Sequence, residues 1–153
     1  MAYSFLHSTS GDPELKVPEI GLGLKVRMEP SMSNGAMTII ETENAPGFGP
    51  PLHRHKETEI FRVLEGRYLY EMDGHRFYAE EGDLVTIPSG AIYAFRNETD
   101  KPARQLIIIC PGLDATGFFS GLADVMKGGH ADTAALNVFS KKWDIEFLGP
   151  PIS

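Results

Sequence analysis

Residues 47–66, GFGPPLHRHKETEIFRVLEG, carry the most informative chemical pattern in the chain. His53 and His55 are two residues apart, so on a β-strand both side chains project from the same face. Glu59 has the same parity and lies on the same face if the strand continues without a bulge. If the strand contains a bulge, Glu57 is the carboxylate on that face instead. Two imidazoles and one carboxylate on one face can hold a divalent transition metal and leave coordination positions open. The stretch therefore predicts an open metal site formed by His53, His55 and Glu59.

Alternation of apolar and polar residues dominates the first 112 positions, with Gly and Pro between the runs. A period of two predicts short, half-buried strands. Asp73-Gly74 lies between two such runs and predicts a tight hairpin. The run LIIIC, residues 106–110, lacks alternation and predicts a strand buried on both faces, with Cys110 as a core thiol. The predicted strands cover about residues 20–28, 37–42, 58–64, 68–72, 75–78, 84–87, 92–97 and 105–110.

The apolar period changes after Pro111-Gly112. An amphipathic helix is predicted from an apolar stripe that ends before Gly128-Gly129; its members are Ala115, Phe118, Phe119, Leu122 and Met126. Asp132 is the predicted N-cap of a second helix that runs to Phe139. Alternation at Trp143, Ile145 and Phe147 predicts a closing strand or packed tail. The chain thus reads as one all-β barrel or sandwich domain over residues 1–153, with its core at about 20–110 and a helical tail at about 113–153.

Composition excludes several classes of function. The 153 residues include 14 Lys+Arg and 21 Asp+Glu, and the net charge of −7 disfavours nucleic acid and anionic membranes as partners. One cysteine rules out a disulfide within the chain, no run reaches the roughly 18 apolar residues of a membrane span, and the N-terminal residues lack a secretory pattern. A cytoplasmic location is therefore expected. Phosphate-binding loops and a GxSxG elbow are absent, which removes nucleotide-dependent and serine-hydrolase chemistry.

Two motifs together resemble the signatures of the cupin superfamily. The first is Gly47, His53-x-His55, Glu59 and Gly66; the second is GDLVTIPSGAIYAFRN, residues 82–97, with Gly82, Pro88, Gly90 and Asn97 at the family's spacing. The C-terminal tail is similar to that of small quercetin-dioxygenase-like cupins. The resemblance implies a double-stranded β-helix, the cupin jelly-roll barrel. It also implies a homodimer, for which the apolar surface is expected from Leu24, Val26, Ile60 and Leu64.

Tyr93 departs from the family pattern, which has a fourth, histidine ligand there. A phenol with an ordinary pKa near 10 ligates a metal poorly unless the metal ionises it. Three interpretations stay open. Tyr93 is a hydrogen-bond donor at the vacated position, a tyrosinate ligand, or a mark of lost metal binding.

The resemblance implies a metal-dependent oxidoreductase, a dioxygenase acting on a small organic substrate that chelates through oxygen. Fe(II) is the first candidate metal, with Mn, Ni, Co or Zn as alternatives. Glu59 and Tyr93 are the expected catalytic residues, and the expected substrate pocket consists of Phe61, Val63, Tyr93 and Phe95, unless these apolar residues are plain core. A non-catalytic ligand-binding protein and an oxygen-independent isomerase or lyase are the alternatives. No chemistry is assigned to residues expected to be solvated or to face outward, namely His7, His75, His130, Arg54, Arg62 and, if it is not a ligand, Glu57.

Overall fold

Two antiparallel β-sheets face each other in the structure, a computed structural model that describes residues 3–129 and 132–153. His130 lies outside the described residues. The eleven strands among the described residues are β1 (Leu15–Val17), β2 (Leu22–Met28), β3 (Thr38–Asn44), β4 (His53–His55), β5 (Thr58–Glu65), β6 (Arg67–Met72), β7 (His75–Glu80), β8 (Leu84–Ile87), β9 (Tyr93–Asn97), β10 (Ala103–Cys110) and β11 (Ile145–Phe147). One sheet has the order β1-β2-β3-β10-β5-β8 and the other β11-β4-β9-β6-β7. This is the jelly-roll architecture that the sequence predicted.

Local sequence signals explain most strand boundaries. The β6–β7 hairpin turns at Asp73-Gly74, where both residues have positive φ angles of 47° and 83°, as the tightest hairpin turn requires. Strand β1, which pairs with β2, was not predicted. Trp143 belongs to a short 3-10 helix before β11 rather than to the closing strand.

The prediction that residues 106–110 are buried on both faces is wrong. Burial alternates along β10: Ile107 and Ile109 face the core, whereas Leu106, Ile108 and Cys110 are half-buried on the outer face. The strand is central in its sheet, between β3 and β5, but nothing among the described residues covers that outer face as fully as the second sheet covers the inner one. An apolar run in a central strand therefore does not show whether one face of the strand or both faces are buried.

Two of the four residues expected on a dimer surface belong instead to the interior. Leu24 is 1% exposed and Val26 packs against the same core, because both side chains of β2 point between the sheets. Ile60 and Leu64 on β5 point outward, and Leu64 is 38% exposed. Only this second pair remains available for contact with another molecule.

The C-terminal segment forms α1 (Ala115–Met126) and α2 (Thr133–Ser140). Both N-caps are aspartates: Asp114 accepts from the backbone N–H of Gly117 and Asp132 from that of Ala135, at 3.0 and 2.8 Å, as the N-cap prediction for Asp132 requires. Helix α1 contacts β1 and helix α2 contacts β11, so the pair joins edge strands of the two sheets. Neither helix is long and apolar enough to cross a membrane.

Candidate active site

His53 and His55 lie on β4 with their side chains buried between the sheets, 7% and 8% exposed. Tyr93 on β9 is the direct cross-strand partner of His53, and the two ring centroids are 4.4 Å apart. The shared parity of the two histidines therefore has the predicted effect. Tyr93 lies beside the histidines in the same sheet.

Glu59 reaches the histidines by a different route from the one predicted. The chain leaves the five-stranded sheet after His55 and enters the six-stranded sheet at Thr58, so Glu59 lies on β5 and points across the interior. Its Oε1 is 3.1 Å from His55 Nε2. Its Oε2 accepts a 2.7 Å hydrogen bond from the Tyr93 hydroxyl, whose oxygen is 3.2 Å from His55 Nε2. The cluster is thus formed by side chains from the two facing sheets, whereas the sequence predicted three side chains on one strand.

Glu57 is a buried residue, and its interpretation as a solvated charge is wrong. The residue is 4% exposed, and its Oε1 lies 3.4 Å from His55 Nδ1. The contact does not have the geometry of a hydrogen bond, so Nδ1 has no hydrogen-bond partner among the described residues. A carboxylate next to the distal nitrogen of a ligating histidine fixes the orientation of the ring in many metal sites. Glu57 is placed to do this for His55.

The imidazole of His53 is held by the preceding loop. Its Nδ1 donates to the carbonyl oxygen of Pro51 at 2.8 Å, which leaves Nε2 without a proton in the neutral ring. The loop in turn depends on Gly49, since a Cβ there would lie 1.8 Å from the carbonyl oxygen of Phe95. Only glycine permits this approach of the loop to β9.

Burial and mutual contact move the pKa values of the four groups in different directions. Burial, with the neighbouring His55, lowers the pKa of His53 from 6.5 to about 4. Burial opposes the charge on His55, but Glu57 and Glu59 outweigh it and raise that pKa from 6.5 to about 9. Burial likewise raises the pKa of Glu59, yet His55 and Tyr93 lower it on balance. Burial and the Glu59 charge raise the pKa of Tyr93 well above 10. At neutral pH the cluster therefore contains neutral His53, an ion pair of His55 with Glu59, and a protonated phenol.

The donor types suit a divalent transition metal, and two features of the cluster favour one. His53 presents an unprotonated Nε2, and His55 has a buried Nδ1 without a hydrogen bond next to a carboxylate. In the described part of the chain, however, no group of three or more His, Cys, Asp or Glu side chains is arranged to hold an ion. Glu59 is directed at His55 and Tyr93 instead. Metal binding would thus require Glu59 and His55 to exchange their contact with each other for contacts with the ion.

A cavity of about 480 Å³ opens from this cluster between the sheets, within the range of small-molecule sites. The cluster itself forms its polar end. Of the residues expected in a substrate pocket, Phe61, Tyr93 and Phe95 line this cavity, whereas Val63 is 1% exposed within the packed core and is not part of its wall. Helical residues complete the apolar wall, namely Phe118, Phe119, Leu122, Met126 and Leu136. The helical tail is therefore part of the site.

The remaining candidates have structural or surface positions. Asn97 shares its face with Tyr93 but fixes a turn, since its Nδ2 donates to the carbonyls of Asn44 and Lys101. Arg54 and Arg62 are exposed, as predicted, and Arg54 pairs with Glu146 on the surface. His7 and His75 are exposed as well.

Sequence reasoning named Glu57 only as an alternative ligand or a solvated charge, and it missed two contributors to the site: Thr42 and the wall formed by the two helices. Glu57 shares its parity with His53 and His55, and that was the available signal. Thr42 lines the cavity from β3 and is 5% exposed. It lies in an alternating strand like any other, so nothing in the local sequence distinguished it.

Two facing antiparallel sheets with a buried His/Glu/Tyr cluster at one end of an apolar cavity define a jelly-roll barrel with an internal cavity. Comparison with known proteins assigns the family. A family model for the cupin domain matches residues 41–109. An uncharacterized protein of Aquifex aeolicus (strain VF5) is 30% identical over 92 residues, which cover 60% of this chain and 69% of that protein. The chain belongs to the cupin family.

Two further similarities are more limited. The quercetin 2,3-dioxygenase of Bacillus subtilis (strain 168) is 33% identical over 76 residues, 46% of this chain. The match covers only 23% of that enzyme, so the chain spans about a quarter of its length. The solved structure of KdgF from Halomonas sp. superposes with a TM-score of 0.66 at 15% identity, over 74% of this chain and 99% of that one. That likeness concerns the fold alone.

Proposed function

We propose that the protein is a metal-dependent oxidoreductase of the dioxygenase type, acting on a small organic molecule that chelates through adjacent oxygen atoms. The observation that carries the proposal is the convergence of two imidazoles, a carboxylate and a phenol at the polar end of a cavity large enough for a substrate. The similarity to a quercetin 2,3-dioxygenase over 76 residues supports it.

The proposed metal ligands are His53, His55 and Glu59. Two histidines and one carboxylate are the donor set of many non-haem iron sites, with Fe(II) as the first candidate and Mn, Ni, Co or Zn as alternatives. When bound, the metal would act as a Lewis acid that lowers the pKa of a chelating substrate and holds it in position for oxidation.

The side chains themselves supply orientation and protons. His53 is neutral, with its ring fixed by Pro51, so it needs no proton transfer before it ligates. Glu57 orients His55 through Nδ1. Tyr93 keeps its proton because its pKa is raised, so its hydroxyl can donate to a substrate oxygen on which negative charge develops.

The test is anaerobic loading of the full chain with Fe(II), followed by oxygen uptake with flavonols, catechols and β-diketones. We expect stoichiometric metal that disappears in His53→Ala and oxygen consumption with at least one of these substrate classes. Bound metal without turnover across the panel contradicts the proposal. Conversion of a substrate without oxygen consumption indicates an isomerase or lyase instead.

A non-catalytic ligand-binding protein is the second candidate, and one observation favours it. Glu59 already forms an ion pair with His55 and a hydrogen bond with Tyr93, so both of its carboxylate oxygens have partners without an ion. Metal analysis of the purified protein separates the two candidates. A metal-free pocket that retains a co-purifying organic ligand supports binding without catalysis.

A further inference from the structure

The charges on the cavity wall restrict the ligand. Among the described lining residues there is no lysine or arginine, and the four carboxylates are Glu19, Glu57, Glu59 and Asp132. Away from the histidine cluster, nothing described in the wall can balance a negative charge on a ligand. Burying an anionic group without a counter-charge is strongly unfavourable. An acidic group at the far end of a ligand is therefore disfavoured.

Three of the four carboxylates already have partners, so the wall does not attract a cation strongly either. Glu59 is bonded to Tyr93 and paired with His55, and Glu57 lies next to the same histidine. Asp132 caps α2 through the backbone of Ala135. The rest of the wall is uncharged and mostly apolar or aromatic, with Thr42, Asn44 and Thr133 as its polar residues, which favours an uncharged ligand body.

Thr42 supplies an unpaired polar group to this wall. The residue is 95% buried, and its Oγ1 has no hydrogen-bond partner among the described residues. An unpaired buried hydroxyl costs free energy that a ligand group can recover by hydrogen bonding to it. Thr42 can therefore recognise a polar atom of the ligand once its buried hydroxyl turns toward the cavity.

Strand register separates Thr42 from the histidine cluster. Glu59 pairs with Ile109, which pairs in turn with Thr38 on β3. Thr42 lies four residues further along β3, about 13 Å at the usual rise per residue. The inward row between them is apolar and consists of Phe61, Ile107 and Ile40. The two polar ends of the cavity are thus separated by an apolar middle.

We propose that the cavity binds an extended, uncharged organic molecule with an apolar body, whose oxygen donors lie at the His53/His55/Glu59 cluster and whose far end forms one hydrogen bond with Thr42. The position of the chelating end rests on the proposed function. The uncharged body and the contact with Thr42 are inferred only from the residues that line the cavity.

Three probes of one scaffold test this proposal: 3-hydroxyflavone, its 4′-hydroxy derivative and its 4′-sulfonate. Each is titrated calorimetrically into the full chain loaded with Zn(II), which is redox-inert, so that no turnover interferes. We expect both uncharged probes to bind with a negative heat-capacity change. The sulfonate should bind at least about 100-fold more weakly because its charge is buried without a counter-charge.

Two variants make the test specific. Thr42→Val keeps the side-chain shape and should weaken the 4′-hydroxy probe about tenfold while leaving 3-hydroxyflavone unchanged. Leu136→Arg adds a cation to the helical wall and should recover binding of the sulfonate. Equal affinity of the wild-type chain for the sulfonate and the parent probe, or equal weakening of both uncharged probes by Thr42→Val, overturns the proposal.

Oxygen uptake by Fe(II)-loaded protein separates this inference from the proposed function. If the probes bind as expected and none is oxidised, the ligand class stands and the dioxygenase proposal fails. If an acid-tailed substrate is oxidised while the uncharged probes do not bind, the reaction stands and the ligand class fails.

Discussion

Binding of a metal to this site should release one proton at neutral pH, and His55 is its source. In the metal-free chain Glu57 and Glu59 raise the pKa of His55 to about 9, so at pH 7 about 1 chain in 100 has the neutral imidazole that a metal needs. Removing that proton costs about 3 kcal/mol. His53 has a pKa of about 4 and is already neutral, so it adds nothing to the proton count.

The sign of the pH dependence follows directly. Between pH 6 and 8.5 each unit of pH increases the neutral fraction of His55 about tenfold, so the apparent affinity for Zn(II) should rise about tenfold per unit. Chelator competition measures this slope. Calorimetry at pH 7 in buffers with different ionisation enthalpies counts the protons. His75→Ala is the matched control, because His75 is an exposed histidine outside the site.

The proton count also distinguishes the roles of Tyr93. A neutral phenol gives a release of about one proton, whereas a tyrosinate ligand gives about two. An affinity that does not change between pH 6 and 8.5, or the absence of proton release, would refute the assignment of His55 as a protonated ligand held by two carboxylates.

Three further results are expected. Gly49→Ala should lower the free energy of unfolding by about 1–3 kcal/mol and weaken Zn(II) binding, because the added Cβ collides with a carbonyl oxygen of β9. Gly149→Ala is the control, since its Cβ meets open space, and it should change neither quantity. Thermal melts and Zn(II) titrations measure the two effects. Ile60→Glu should convert the expected homodimer to a monomer in light scattering, since Ile60 lies on the outer sheet face; an unchanged mass excludes that face. Without metal, stability in urea should peak near pH 6.5. The contribution of His55 is full below its ordinary pKa of 6.5 and is lost as pH rises through about 9, whereas that of His53 is lost as pH falls through about 4; a plateau from pH 5 to 8.5 contradicts these shifts.

Local rules predicted the elements of the fold because short-range physics determines them. The hairpin at Asp73-Gly74 needs two residues with positive φ, and the N-cap at Asp132 needs a side-chain acceptor. Both requirements can be read from single residues. The β10 error had another origin: Leu106 and Ile108 are as apolar as Ile107, so composition could not show which face was covered.

The site was harder to predict than the fold because its members come from both sheets. The His53/His55 pair was predictable, since both residues lie on one short strand and share its face. Glu59 was named for the wrong geometric reason, because the sequence does not show that the chain changes sheets between His55 and Thr58. That same crossing buries Glu57 against His55 and takes it out of solvent. Parity along one strand cannot reveal a contact that a change of sheet creates.

The surroundings of Tyr93 favour a neutral hydrogen-bond donor over the other two interpretations. A tyrosinate would require loss of a proton from a buried phenol that already donates to ionised Glu59, and both burial and that charge raise the pKa of Tyr93. Loss of metal binding would leave no reason for His53 to keep its ring fixed by Pro51, with Nε2 unprotonated. A phenol in this position holds Glu59 while the metal is absent. If Glu59 turned to a metal ion as proposed, the Tyr93 hydroxyl would be free to donate to a substrate, which a fourth histidine ligand could not do.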